Sequence, residues 1–135
     1  MKKKDEMIMK NNDNNNNRVI FFEDVSKTLD IESAKKFGNI LILFDNKSKE
    51  IRRPSIFNTK EFSKAVYQRL YDIEFDPKKD SIAISGSIIP ICVIVAIAFE
   101  IQSPLRLLFY NANTSQYEQH LLESYLEDDL DTKER

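Results

Sequence analysis

Between Ile82 and Ile101 the chain carries a single charge, Glu100, in twenty residues. No other stretch restricts the fold as strongly. Twenty apolar residues are about the length of a bilayer-spanning helix, so a membrane span has to be weighed first. Ser85, Gly86, Ser87 and Pro90 break up the first half of the segment. The unbroken part, Ile88 to Phe99, makes only about 18 Å of helix against a hydrocarbon core of about 30 Å. A different reading fits better: a strand at Ser81–Ser85, a tight turn at Gly86, and a fully buried helix from Ser87 to about Ile101. Ser87 caps that helix and Pro90 is tolerated in its first turn. Ser103-Pro104 stops the helix, and Leu105–Tyr110 is the next strand. Strand, helix and strand form a β-α-β crossover, which leaves its two strands parallel and is nearly always right-handed.

The rest of the chain supplies partners for this unit. Arg18–Phe22 is β-prone. Asp30 to Gly38 reads as a short helix, with Asp30 as cap, Ile31, Ala34 and Phe37 on one face, and Gly38 past the end. Asn39–Phe44 is a strand whose continuous apolar run suits cover on both faces. Residues 50–57 hold either a loop or a short edge strand before Pro54. Asn58-Thr59-Lys60-Glu61 is a capping box, followed at helical spacing by Phe62, Ala65, Val66, Leu70 and Ile73. Asp76–Asp80 and Asn111–Ser115 are turns by composition. Gln116–Leu122 is either a final strand or the start of a helix. The expected fold is therefore an α/β sandwich, ferredoxin-like or related, of four to five strands and two main helices. Its domain spans 18–122, between a flexible Asn-rich leader (1–17) and an acidic tail (123–135).

Charge and rare residues exclude several functions. Net charge is −2, yet Glu118–Arg135 alone carries −5, which leaves +3 on the body. That body accommodates a phosphate-bearing ligand but lacks the basic bias of a genomic DNA binder. The lone Cys92, expected to be buried and inert in its helix, forms no internal disulfide and no Cys-based zinc site. With no apolar leader stretch, the cytoplasm is the expected compartment. The single histidine, His120, is expected at the surface. No nucleophile elbow, P-loop lysine or convergent metal-ligand set is present, so neither an enzyme nor a cofactor is expected.

The crossover does suggest a ligand edge. Parallel strands place the carboxyl ends Ser85-Gly86-Ser87 and Asn111-Ala112-Asn113-Thr114-Ser115 together, beside a helix amino terminus whose free N–H groups favour phosphate oxygens. Ser85, Gly86, Ser87, Asn111, Asn113, Thr114 and Ser115 are the expected binding residues. Arg106, Arg52 and Arg53 are added as phosphate partners on charge alone.

From Asp76 to Tyr117 the chain resembles a small family of ferredoxin-like CRISPR-associated ring nucleases. The likeness lies in Asp80-Ser81-Ile82-Ala83-Ile84-Ser85-Gly86, Pro90-Ile91, Pro104 and Leu108-Phe109-Tyr110-Asn111. Those proteins bind and cleave cyclic oligoadenylate messengers of type III CRISPR systems. The family's functional histidine has no counterpart from Ser85 to Pro104, and Asn111 stands where the family has aspartate. The resemblance therefore implies nucleotide recognition without cleavage, and a homodimer axis is an expected place for it. The alternative is an adaptor that binds another protein through its acidic tail or a sheet edge.

Overall fold

The computed structural model describes residues 16–23, 31–85 and 87–123. Five strands form one sheet: β1 (Arg18–Phe21), β2 (Asn39–Ile42), β3 (Asp80–Ile84), β4 (Leu105–Asn111) and β5 (Gln116–Leu122). A six-residue 3-10 helix, Glu32–Phe37, joins β1 to β2. Helix α1 (Thr59–Asp72) joins β2 to β3, and α2 (Ile88–Ile101) joins β3 to β4. The strand order is β2-β1-β3-β4-β5; the first four strands run parallel, and β5 returns antiparallel as a hairpin. The expected α/β sandwich stands, in its related form, with the strand order of doubly wound sheets.

The winding explains the two faces. The first crossover moves one way across the sheet and the later two move the other way. Right-handed connections therefore put the 3-10 helix on one face and both α-helices on the opposite one. Strand alternation agrees. Ile20, Ile82, Leu105 and Leu107 pack with Phe62, Val66, Leu70, Ile91, Ile94 and Ala98 of the two helices. Val19, Phe21, Ala83, Leu108 and Tyr117 pack with Ala34 of the 3-10 helix. Phe22, Phe44 and Phe62 form an aromatic triangle under the start of α1, with centroids 5.7–6.1 Å apart.

Helix α1 starts where its sequence says. Asn58 is the cap, and its Oδ1 accepts from the Glu61 N–H at 3.4 Å. The first two links of the chain are held at the opposite, amino edge of the sheet. There Arg18 donates to both oxygens of Asp80, at 2.9 and 2.8 Å, and to the Ile73 carbonyl at 2.9 Å. Gly38, at φ 152°, packs so closely that a Cβ would stand 2.6 Å from the Asn17 carbonyl.

Several expectations change. The short helix is capped at Ile31, and Asp30 lies outside the described residues. Residues 50–57 form no strand. Gln116–Leu122 is a strand, held by seven register pairs to β4. β2 lies at the edge of the sheet, yet both its faces are packed as expected: Leu41 against the α-helical side and Ile40 and Ile42 against the 3-10 side, with Leu43 and Phe44 buried just beyond. Arg69 of α1 ties down the carboxyl end of β2 by donating to the carbonyls of Leu43 (2.6 Å) and Ile42 (3.3 Å); burial lowers its pKa somewhat, against the opposing pull of Asp72. Helix α2 is buried on one side only, and Cys92 is exposed on the other. No helix of the described residues is long and apolar enough to cross a membrane.

Two substitutions test this account. Asp80→Ala strands a half-buried guanidinium and is expected to lower the unfolding free energy by about 3 kcal/mol in denaturant titrations. Gly38→Ala adds a backbone clash at positive φ and is expected to cost more than about 1 kcal/mol by the same measurement.

Candidate functional site

The parallel crossover brings two strand ends together. Ser81, Ile82, Ala83 and Ile84 of β3 pair with Arg106, Leu107, Leu108 and Phe109 of β4, so Ser85 emerges from the sheet beside the end of β4. The order of the sheet also reverses between β1 and β3, because the chain moves outward from β1 to β2 and then returns to place β3 on the other side of β1. In sheets of this kind ligands bind in the crevice at the carboxyl ends around such a reversal.

Ser85 Oγ is buried there with no hydrogen-bond partner. Leaving a buried hydroxyl unpaired costs about 1–3 kcal/mol. Ser87 is exposed and stands at the cap position of α2, but its side chain makes no capping bond. The first turn of α2 contains no acidic residue, and Pro90 has no N–H to offer. The orphan donors there are thus the N–H groups of Ser87, Ile88 and Ile89, at the positive end of a fourteen-residue helix. Gly86 lies outside the described residues.

The turn after β4 is less available. Asn111 Nδ2 donates to Glu118 at 2.7 Å, and its Oδ1 accepts from the Asn113 N–H at 2.9 Å. Thr114 returns two bonds to the Asn111 carbonyl, and Ser115 adopts φ 57° to close the hairpin. Asn111 therefore builds the β4–β5 turn, and Asn113, Thr114 and Ser115 are exposed upon it.

The arginines divide. Arg106 pairs with Ser81 at the start of β3 and donates to the Pro77 carbonyl at 3.1 Å. It belongs to the amino edge and is not brought to the serines. Arg53 does reach the carboxyl edge: it pairs with Glu23, just past β1, at 3.0 Å and lies over the Phe22 ring. Arg52 donates to the Asn46 carbonyl at 3.2 Å. Glu23 carries no motif, and only the strand order reveals its position. His120 lies on β5 against Phe109, with centroids 5.3 Å apart. Among the described residues no group of three or more His, Cys, Asp or Glu side chains is placed to hold a metal.

The fold and this edge define a small α+β sandwich with a doubly wound parallel core and a helix start at its carboxyl edge. The chain belongs to the phage Pam3 gp32-like family, whose model matches residues 13–124. No curated protein and no solved structure matches it.

Asn111→Ala removes two turn bonds and is expected to cost about 1 kcal/mol of stability. Chemical denaturation reads that loss, and the remainder of the sheet is expected to keep its far-ultraviolet spectrum.

Proposed function

We propose that this protein binds a nucleotide or cyclic oligonucleotide at the carboxyl edge of its parallel strands and does not cleave it. The observation that carries the reading is the buried, unpartnered Ser85 hydroxyl beside an α-helix start that lacks any side-chain cap. Such a hydroxyl and such N–H groups match phosphate oxygens in charge and in hydrogen-bonding sense. Ser87 adds an exposed hydroxyl, and Arg53 supplies a cation at the same edge once a ligand phosphate competes for it with Glu23. Asn113, Thr114 and Ser115 border the edge on the turn side.

The resemblance to ring nucleases supports cyclic oligoadenylate as the first ligand to test. The absence of histidine from Ser85 to Pro104 supports binding without cleavage. In a family named for a phage protein, a domain that holds such a messenger intact would withdraw it from the host's cytoplasmic signalling. Ser85, Ser87 and the α2 amino terminus form the recognition set, Arg53 joins it, and Arg106 does not.

The test is a thermal-shift screen of the purified protein against cyclic oligoadenylates, linear nucleotides and inorganic phosphate. A ligand at a hundred times its Kd stabilises the folded state by about 2.7 kcal/mol, a shift of several degrees for a domain of this size. Ser85→Ala is expected to leave the ligand-free protein as stable as before or slightly more so, and to lose most of the shift. Ser87→Glu is expected to abolish it without unfolding the domain. A flat screen, or an undiminished shift in Ser87→Glu, overturns the site, and cleavage of cyclic tetra-adenylate overturns the non-cleaving reading.

A further inference from the structure

Helix α2, with the sequence IIPICVIVAIAFEI, is apolar on every side. A helix of that kind is a helix covered on every side, yet the fold fully buries only Pro90, Ile91, Ile94 and Ala98 and half-buries Val93, Val95, Ile97 and Phe99 against the core, leaving the stripe through Ile88, Cys92, Ala96 and Glu100 bare. Ile88 is 75 % exposed and Ile89 47 %, while Cys92 and Ala96 face outward between them and Glu100. The patch continues onto α1 through Tyr67 (53 %) and Tyr71 (69 %). A membrane surface is a poor match for it, because an interfacial helix sets basic residues beside its apolar face and α2 has none.

The face fits itself. In an antiparallel pair of α2 helices about a twofold axis midway between Cys92 and Ala96, each Cys92 lies opposite Ala96 of the partner subunit. Small side chains at the centre let the helix axes approach to the short end of the usual 8–10 Å. Ile88, the most exposed of the large apolar residues on the helix, then lies opposite Glu100 of the partner subunit. Beside Glu100 is a cleft of about 460 Å³ lined by Tyr67, Ile97, Glu100 and Ile101, so one protomer's knob meets its partner's hole. Charge agrees with shape. Glu100 sits in the last turn of its own helix, against the negative end of the dipole, with no basic residue near it in that turn. Antiparallel pairing moves each carboxylate to the uncapped, positive start of the opposite helix. A helix about 21 Å long supplies the centre of such an interface, and Tyr67 and Tyr71 of α1 widen it.

We infer that the outer face of α2, widened by Tyr67 and Tyr71, is the interface of an antiparallel, twofold homodimer in which Glu100 of each protomer neutralises the α2 amino terminus of the other. Such an interface is isologous and closed, so it yields dimers and not fibres. One consequence rests on the ligand reading above, although the dimer does not. A ligand phosphate and the partner's Glu100 compete for the N–H groups of Ile88 and Ile89, so saturating ligand weakens the dimer, and by linkage the dimer weakens ligand binding.

The experiment uses the ligand-free full chain, which keeps it separate from the ligand screen. Light scattering behind size exclusion at tens of micromolar is expected to give twice the 15.8 kDa of one chain. Cys92, the only cysteine, is expected to cross-link the pair with a bismaleimide spanner of about 10 Å, the separation that helix packing sets. Ala96→Arg, on the exposed side of the helix, is expected to leave thermal unfolding cooperative, to abolish the cross-link and to give a monomer. Glu100→Lys is expected to weaken the dimer at least tenfold. A monomeric wild type overturns the proposal, as does a dimer that survives Ala96→Arg. A dimer lost in Ala96→Arg but indifferent to Glu100→Lys overturns the antiparallel arrangement. A wild type that is monomeric alone but forms a stable heterocomplex assigns the face to another protein, and overturns it too.

Discussion

The Asp80 carboxylate has a fully buried side chain at the first position of β3, and the sheet depends on how that charge is held. An ionised carboxylate in a protein interior is tolerated only when donors surround it. Here two come from Arg18, directly across the register from Asp80 on β1, and a third from the Asp76 backbone at 2.8 Å. The pair also holds the guanidinium charged: the bond to Asp80 raises the Arg18 pKa against the desolvation that burial brings. Arg18 then reaches the Ile73 and Glu74 carbonyls beyond the end of α1. One ion pair thereby fixes the starts of β1 and β3 and the return of α1 to the sheet. With the amino edge fastened in this way, the carboxyl edge carries no charge pair between β1 and β3 among the described residues, Ser85 Oγ has no partner and Ser87 makes no capping bond.

Local signals wrote much of this fold. The apolar run from Ile82 to Ile101 marked β3 and α2 because a turn residue and a proline interrupt it at the right places, and a crossover of that length enforces parallel strands. Asn58 and Glu61 marked the start of α1 because capping is chemistry within four residues. What could not be read was set at long range. Arg18 and Asp80 are 62 residues apart, and nothing local pairs them. Charge alone makes Arg106 a phosphate partner but says nothing of which end of a strand it occupies; only its pairing with Ser81 puts it at the amino edge. Asn111 suits a ligand and a turn equally well by type, and its bonds to Glu118 and Asn113 settle it as turn.

The apolar pattern holds for the faces of one element and fails for the other. Asn39–Phe44 and α2 were both read as covered on two sides, since continuous apolar sequence has no polar residue to mark an outside. The strand is packed on both faces although it lies at the sheet edge, and Arg69 bonds the carbonyls at its carboxyl end. The helix turned out half bare, with its cysteine exposed. Hydrophobicity reports that a surface avoids water; it does not report whether the cover comes from the same chain.

The two helices of this protein make the comparison sharper. Helix α1 follows the electrostatic rule for a helix in water, with Glu61 in its first turn, Arg69 in its last and a side-chain cap at Asn58. Helix α2 inverts the rule: no acid at the start, no base at the end, no side-chain cap, and Glu100 in the unfavourable last turn. Each departure costs a few tenths of a kcal/mol to about 1 kcal/mol, in a chain small enough for that to matter. Both proposals for α2 rest on the same physical point. A positive helix end left bare is open to a negative group from outside the protomer, which would be a ligand's phosphate in the one proposal and a second copy's Glu100 in the other. The two cannot occupy the same N–H groups together, so whichever is present determines whether the other can bind.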